Sequence, residues 1–225
     1  MKSPLSQDLL NQALLNPSNP ARKVQSRTRQ TQEKIKQAAK FLFVKHGFDG
    51  TSMGDVAEKA EINQSLIHHH FGSKQTLWNV IRDEIYEDYV SAALEFLSQE
   101  SDQDIKIQIQ SLISMRFKFI QDHPELARIM AWQTLSDMPA STSSDHGLLA
   151  MQKVLDRLKT AQQKKLLSQE IAPEMIAVLV FISTIGWFQN DYRWLFSKQL
   201  NMSESELDQK YLDSLSKILL GGVLA

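Results

Sequence analysis

Apolar residues recur at spacings of three and four along this chain from Ile35 to Leu219, and no segment alternates at period two. That pattern leaves no room for a sheet core, because a half-buried strand needs every second residue apolar. Ile35, Ala38, Ala39, Leu42, Phe43 and His46 fall on one helical face, Gly47 follows as a stop signal, and Phe48 packs back across the end. Thr51 or Ser52 is placed to cap a second helix with Val56, Ala57 and Ala60 facing inward. Glu61 and Ile62 make the turn, and Asn63 caps a third helix to about His70, buried through Ile62, Ile67 and Phe71. Ser73 opens a long fourth helix through Leu77, Ile81, Ile85, Tyr89, Ala92 and Phe96. Further helices are expected from Asp102 to just before His123-Pro124, then over PELARIMAWQTL, over LLAMQKVLDRLKTAQQKKLL, from Pro173 to Phe196, and from about Ser203 to Leu220. Ser136 to Gly147 is the one loop expected in this part of the chain. The expectation is an all-α fold of about nine helices without internal repeats.

Length and composition narrow the class further. With 225 residues and 42% apolar content the chain can fill one large core or a small domain and a larger one. It has no cysteine, which rules out disulfides, thiolate metal sites and cysteine nucleophiles. The longest apolar run, Met175 to Phe188, contains Ser183 and Thr184 and falls short of the roughly 20 residues that span a bilayer. Gln7, Asp8, Asn11 and Gln12 interrupt the leucines near the start, so no signal peptide is expected; a soluble cytoplasmic protein is. The net charge of −1 hides an asymmetry. Between Ala21 and Gln75 ten basic residues face five acidic ones, leaving the rest of the chain acidic. A cationic head of this kind attracts phosphates.

The same head carries an ordered set of cues: Lys45-His46-Gly47-Phe48, Thr51-Ser52, Asp55 to Ala60, Ile67 to Phe71, and Ser73-Lys74. Taken together, these make residues 27 to 81 resemble the N-terminal DNA-binding domain of the TetR family of one-component transcriptional repressors. The resemblance implies a flexible extension over residues 1–26, a helix-turn-helix domain over 27–72, and a helical ligand-binding and dimerisation domain over 73–225. It further implies a homodimer on a palindromic operator in double-stranded DNA, released by a small hydrophobic effector. Two helical rivals stay open: a protein-interaction module and a DNA-binding protein that needs no ligand.

Elementary chemistry assigns roles within that head. Only the N-terminal residues of a helix laid in the major groove reach base edges. Gln64 suits a bidentate contact to adenine, Ser65 is an adaptable donor or acceptor, and Leu66 suits a thymine methyl. His68 and His69 lie farther along, within reach of phosphates. Thr51 and Ser52 offer hydroxyls and N–H groups at a helix N-terminus, which favours an anion. Gly54 permits close backbone approach, Lys74 matches the family's phosphate-clamping lysine, and Arg29 belongs to a basic arm or a non-contacting tail with Arg22, Lys23 and Arg27. Two residues depart from the family pattern. His68 stands where tyrosine is usual, and with a reference pKa near 6.5 it makes binding pH-sensitive. Glu61 stands where glycine is frequent, which implies a turn with ordinary negative φ. The His68-His69-His70 triplet is not expected to hold a metal, because consecutive helical side chains diverge by about 100°.

For the body, Leu179, Ile182, Gly186, Tyr211, Leu215 and Leu219 on the last two long helices are the candidate dimer interface. Met115, Phe117, Ile129, Met130, Trp132, Met151, Phe181 and Trp187 are candidate pocket residues, although apolar stripes at helical spacing are more often core. Arg116 and Arg128 interrupt apolar faces and suit either an anionic ligand or a neighbouring carboxylate. No Gly-rich phosphate loop, G-x-S-x-G elbow or HExxH is present, so neither an enzyme nor a cofactor is expected.

Overall fold

The computed structural model describes residues 20–98, 104–135 and 145–224, and every regular element among them is an α-helix. There are ten: α1 (Pro20–His46), α2 (Met53–Ala60), α3 (Gln64–Phe71), α4 (Lys74–Ser98), α5 (Ile105–Asp122), α6 (Pro124–Leu135), α7 (Asp145–Gln163), α8 (Pro173–Gln189), α9 (Tyr192–Gln199) and α10 (Glu204–Val223). The chain divides between Ile81 and Arg82 into two compact units, so the unbroken α4 contributes its first turns to one and the rest to the other.

The core of the first unit is built from Ile35, Ala39, Phe43, Val56, Ile67, Leu77 and Trp78, all inaccessible to solvent. Phe43 and Phe48 meet the Trp78 ring edge-on at 5.1 and 5.7 Å, an arrangement that matches the positive ring edge to the negative face. Gly47 ends α1 at φ 74, its N–H donating to the Phe43 carbonyl, as a C-terminal glycine does. Gly50 is obligatory for a different reason: a Cβ there would lie 2.4 Å from the His46 carbonyl oxygen.

Several sequence expectations need correction. Residues 20–26 are the first turns of α1 rather than extension, because Pro20 occupies a first-turn position that tolerates proline and no breaker follows; residues 1–19 lie outside the described residues. Glu61 adopts φ 55, ψ 46, a left-handed conformation. Its N–H donates to the Glu58 carbonyl and that of Ile62 to the Ala57 carbonyl, so closing the end of α2 outweighs the preference of a non-glycine residue. Asp102 lies outside the described residues, and Asp104 caps α5 by accepting from the Lys106 N–H. Of the expected loop, 136–144 is also outside, while Asp145, His146 and Gly147 already belong to α7.

In the second unit, α5, α7, α8 and α10 enclose a core of Ile109, Ile113, Leu158, Leu167, Ile176, Val180, Leu215 and Leu219. The run from Pro173 does not continue to Phe196 as one helix: Asn190 takes an extended conformation and separates α8 from α9. That break returns Arg193 toward α10, where Asp208 waits with a side chain 3% exposed. The Asp208 carboxylate accepts from Trp187 Nε1 at 2.9 Å, from Arg193 Nε and Nη2 at 2.7 Å each, and from Gln121 Nε2 at 2.8 Å. One buried carboxylate thus joins α5, α8, α9 and α10, and its hydrogen bonds raise the already high pKa of Arg193. Tyr211 completes the cluster, stacking on Trp187 at 4.0 Å and donating to the Ser183 carbonyl.

Candidate nucleic-acid interface

α3 reads QSLIHHHF, and Ile67 is its one buried residue. Asn63 starts the helix by accepting the Ser65 N–H at 2.9 Å, and Gly72 ends it at positive φ. His70 and Phe71 are partly buried, and the other five residues of the helix face solvent. Gln64, Ser65, Leu66, His68 and His69 are all exposed, Leu66 at 41%. These are the residues that the sequence nominated for bases and phosphates.

α2 presents its N-terminus beside them. A Cβ added to Gly54 would meet Ser52 Oγ at 3.4 Å and Gln64 Oε1 at 3.9 Å, so Ser52, Gly54 and Gln64 form one exposed strip. Ser52 and Asp55 make a capping box: Ser52 Oγ accepts from the Asp55 N–H, and Asp55 Oδ2 from the Ser52 N–H. These bonds hold the Asp55 carboxyl below its usual range. The N–H groups of Met53 and Gly54 occupy the positions that have no acceptor within their own helix, and they are the donors left for an anion.

Two nominated phosphate ligands are otherwise engaged. Thr51 is 2% exposed and its hydroxyl donates to the Gly47 carbonyl, so its side chain closes the loop after α1 instead of facing outward. Lys74 Nζ donates to the Phe48 and Thr51 carbonyls at 2.9 and 3.0 Å and lies 4.1 Å from the Phe48 ring centroid. It braces that loop from the first turn of α4 and keeps one ammonium hydrogen for another acceptor. Arg29 is exposed on α1, and Lys59 lies over the half-exposed Phe41 ring at 3.8 Å, which keeps its charge at the surface.

His68 is tied to its neighbours in a way the sequence does not reveal. Its Nδ1 lies 2.8 Å from the Gly72 carbonyl and its Nε2 3.4 Å from Gln64 Nε2. With Nδ1–H donating to Gly72, the ring Nε2 accepts from the Gln64 amide, so His68 helps to orient the side chain nominated to read adenine. Among the described residues, no group of three or more His, Asp or Glu could hold a metal ion.

The second-unit nominations separate under burial. Leu179 and Ile182 are 46% and 59% exposed and, with Met175 and Val178, form an apolar stripe on α8 that continues at Gly186. Leu215 and Leu219 instead face the chain's own core, because that side of α10 packs on α5, and Tyr211 is half-buried against Trp187. Ile218, 73% exposed, is what α10 offers outward. Phe117 and Trp187 are core around Asp208, and Ile129 is buried, while Met115, Met130 and Trp132 are partly buried. Only Met151 and Phe181 of the pocket nominations line a partly open cavity of about 60 Å³ in the second unit. Arg128 is exposed; Arg116 is buried and lines that cavity. No helix among the described residues is long and apolar enough to cross a membrane.

Residues 35–81 match the family model for bacterial regulatory proteins of the tetR family, and residues 112–209 that for the tetracyclin repressor-like C-terminal domain. The chain is 25% identical over 164 residues to the HTH-type transcriptional regulator UidR of Escherichia coli K12, covering 72% of this chain and 82% of that one. It is 24% identical over 199 residues to the HTH-type transcriptional repressor NicS of Pseudomonas putida, covering 86% and 92%. The fold resembles that of a TetR family transcription regulator from Marinobacter aquaeolei, with a TM-score of 0.65 at 17% identity over 86% of this chain and 97% of that one.

Proposed function

The chain belongs to the TetR family of DNA-binding transcriptional regulators, and from that premise we propose that it acts as a homodimeric repressor on a palindromic operator, released by a small hydrophobic ligand in the second unit. The observation that carries the DNA half is α3, whose single buried residue leaves a row of Gln64, Ser65 and Leu66 beside the open N-terminus of α2. In this reading α3 enters the major groove with Gln64 on adenine and Leu66 on a thymine methyl, while His69 meets the backbone. The N–H groups of Met53 and Gly54 and the remaining hydrogen of Lys74 hold phosphates. Glycine at 54 lets the backbone come close, since nothing in the fold requires it there.

The stripe of Met175, Val178, Leu179 and Ile182 supports dimerisation, because an exposed apolar row at helical spacing gains most by meeting its own copy about a twofold axis. Two heads paired in this way match two half-sites. Ligand in the second unit acts through α4, the one helix common to both units. The working compartment is the cytoplasm, where the chromosome is. Selection from random duplexes tests the whole reading: a recovered inverted repeat supports the dimeric repressor, and no enrichment over nonspecific binding at physiological salt refutes it.

A further inference from the structure

Arg116 is 3% exposed. Its Nε donates to Thr184 Oγ1 at 2.8 Å, but both terminal nitrogens, Nη1 and Nη2, are buried without a hydrogen-bond partner. No ion pair among the described residues involves it. Rings lie against it, Phe181 at 3.9 Å and Tyr89 at 4.8 Å from the guanidinium carbon, which favours a cation without using its hydrogens. A buried charge with two orphaned donors is costly unless something pairs with it.

The surroundings say what that partner is. Arg116 lines the 60 Å³ cavity together with Tyr89, Leu112, Val154, Val180 and Phe181. Apart from Arg116 and Tyr89, every lining side chain is apolar. The free edge of the guanidinium, Nη1 and Nη2 in one plane, is the edge that binds a carboxylate through two parallel hydrogen bonds. One cation in an apolar chamber neutralises one negative charge, which disfavours a phosphate dianion. At 10–15 Å³ for each water-sized occupant, the space holds roughly four to six heavy atoms. Resting on the reading of the second unit as ligand-binding, we propose that Arg116 makes this cavity a receptor for a small monocarboxylate with a short apolar tail. Thr184 is a positioning residue: its own hydroxyl donates to the Val180 carbonyl at 2.7 Å, so its oxygen is turned to accept Arg116 Nε–H and fixes the guanidinium from that side.

Butyrate and its neutral isostere butyramide, titrated calorimetrically into the full-length protein at matched ionic strength, provide the test. Butyrate is expected to bind wild type at least about tenfold more tightly than butyramide, as two charge-assisted hydrogen bonds require. Arg116→Met should lose that preference without a lower melting temperature, because methionine fills the site and removes an unpaired cation; Arg116→Lys should keep part of it. Equal affinities for the two probes overturn the proposal and leave a purely apolar cavity. No binding of either, or a marked fall in the melting temperature of Arg116→Met with no butyrate preference in wild type, overturns it as well by making Arg116 a structural brace. Gel shifts on the selected operator with butyrate present separate the two readings: tight butyrate binding that leaves the DNA complex unchanged keeps the carboxylate site and refutes ligand-controlled release.

Discussion

Replacing Glu61 separates a backbone effect from a charge effect at the edge of the proposed DNA-facing surface. Glu61 sits at φ 55, ψ 46 and is exposed, so the cost of its conformation is not offset by side-chain burial. A left-handed non-glycine residue costs about 1–2 kcal/mol. Glycine removes that cost but makes the unfolded chain freer by about 0.4–1 kcal/mol. Glu61→Gly should therefore stabilise the first unit by roughly 0.5–1 kcal/mol, whereas Glu61→Gln, with the same backbone preference as glutamate, should change stability little. Glu61→Asn should fall between them, since asparagine tolerates this region better than most residues. Native-state hydrogen exchange of the α2 and α3 amides reads the effect locally, as a rise in protection of roughly two- to fivefold for glycine. DNA affinity should behave differently, rising equally in the glycine and glutamine variants because both remove one negative charge near phosphates. Equal protection in the glycine and glutamine variants would refute the conformational argument, and unequal salt-corrected affinities would refute the electrostatic one.

Gly54→Ala should leave the fold intact or stabilise it by up to about 1 kcal/mol, because its Cβ meets nothing closer than 3.4 Å, yet weaken operator binding at least about tenfold. Unchanged affinity by fluorescence anisotropy would remove Gly54 from the interface. Asp208→Ala should destabilise the chain by about 1–3 kcal/mol in urea titrations, since it leaves the Trp187 and Gln121 donors without their acceptor while Arg193 keeps its pair with Glu204; no measurable loss would refute this. His68→Phe should lower operator affinity, because it removes the ring nitrogen against which the Gln64 amide rests; unchanged affinity by fluorescence anisotropy would refute this.

How far the sequence was legible depended on how local each cause is. Gly47 as the end of α1, Asn63 as the cap of α3, and the inward faces of α1 and α2 follow from neighbours within one or two turns. The exposed row of α3 was readable for the same reason. Glu61 misled because a favourable helix ending selected a backbone conformation its side chain disfavours. Lys74 and Thr51 look like surface ligands in isolation; they turn inward because the loop after α1 brings the Gly47, Phe48 and Thr51 carbonyls within their reach. Asp208 carried no local signal, since its partners lie 15 to 87 residues away.

By itself, then, the sequence determined an all-helical chain with a cationic helix-turn-helix head, because helical periodicity, caps and charge act over a few residues. Tertiary structure alone decided which apolar residues stay outside: Ile182 is left exposed on α8 while Leu215 and Leu219 turn into the core, though all three have the same helical spacing of apolar neighbours. It also decided that Arg116 is buried with two unpaired nitrogens beside a small apolar cavity. A helical pattern says that a face is apolar, but only packing in three dimensions says what that face meets.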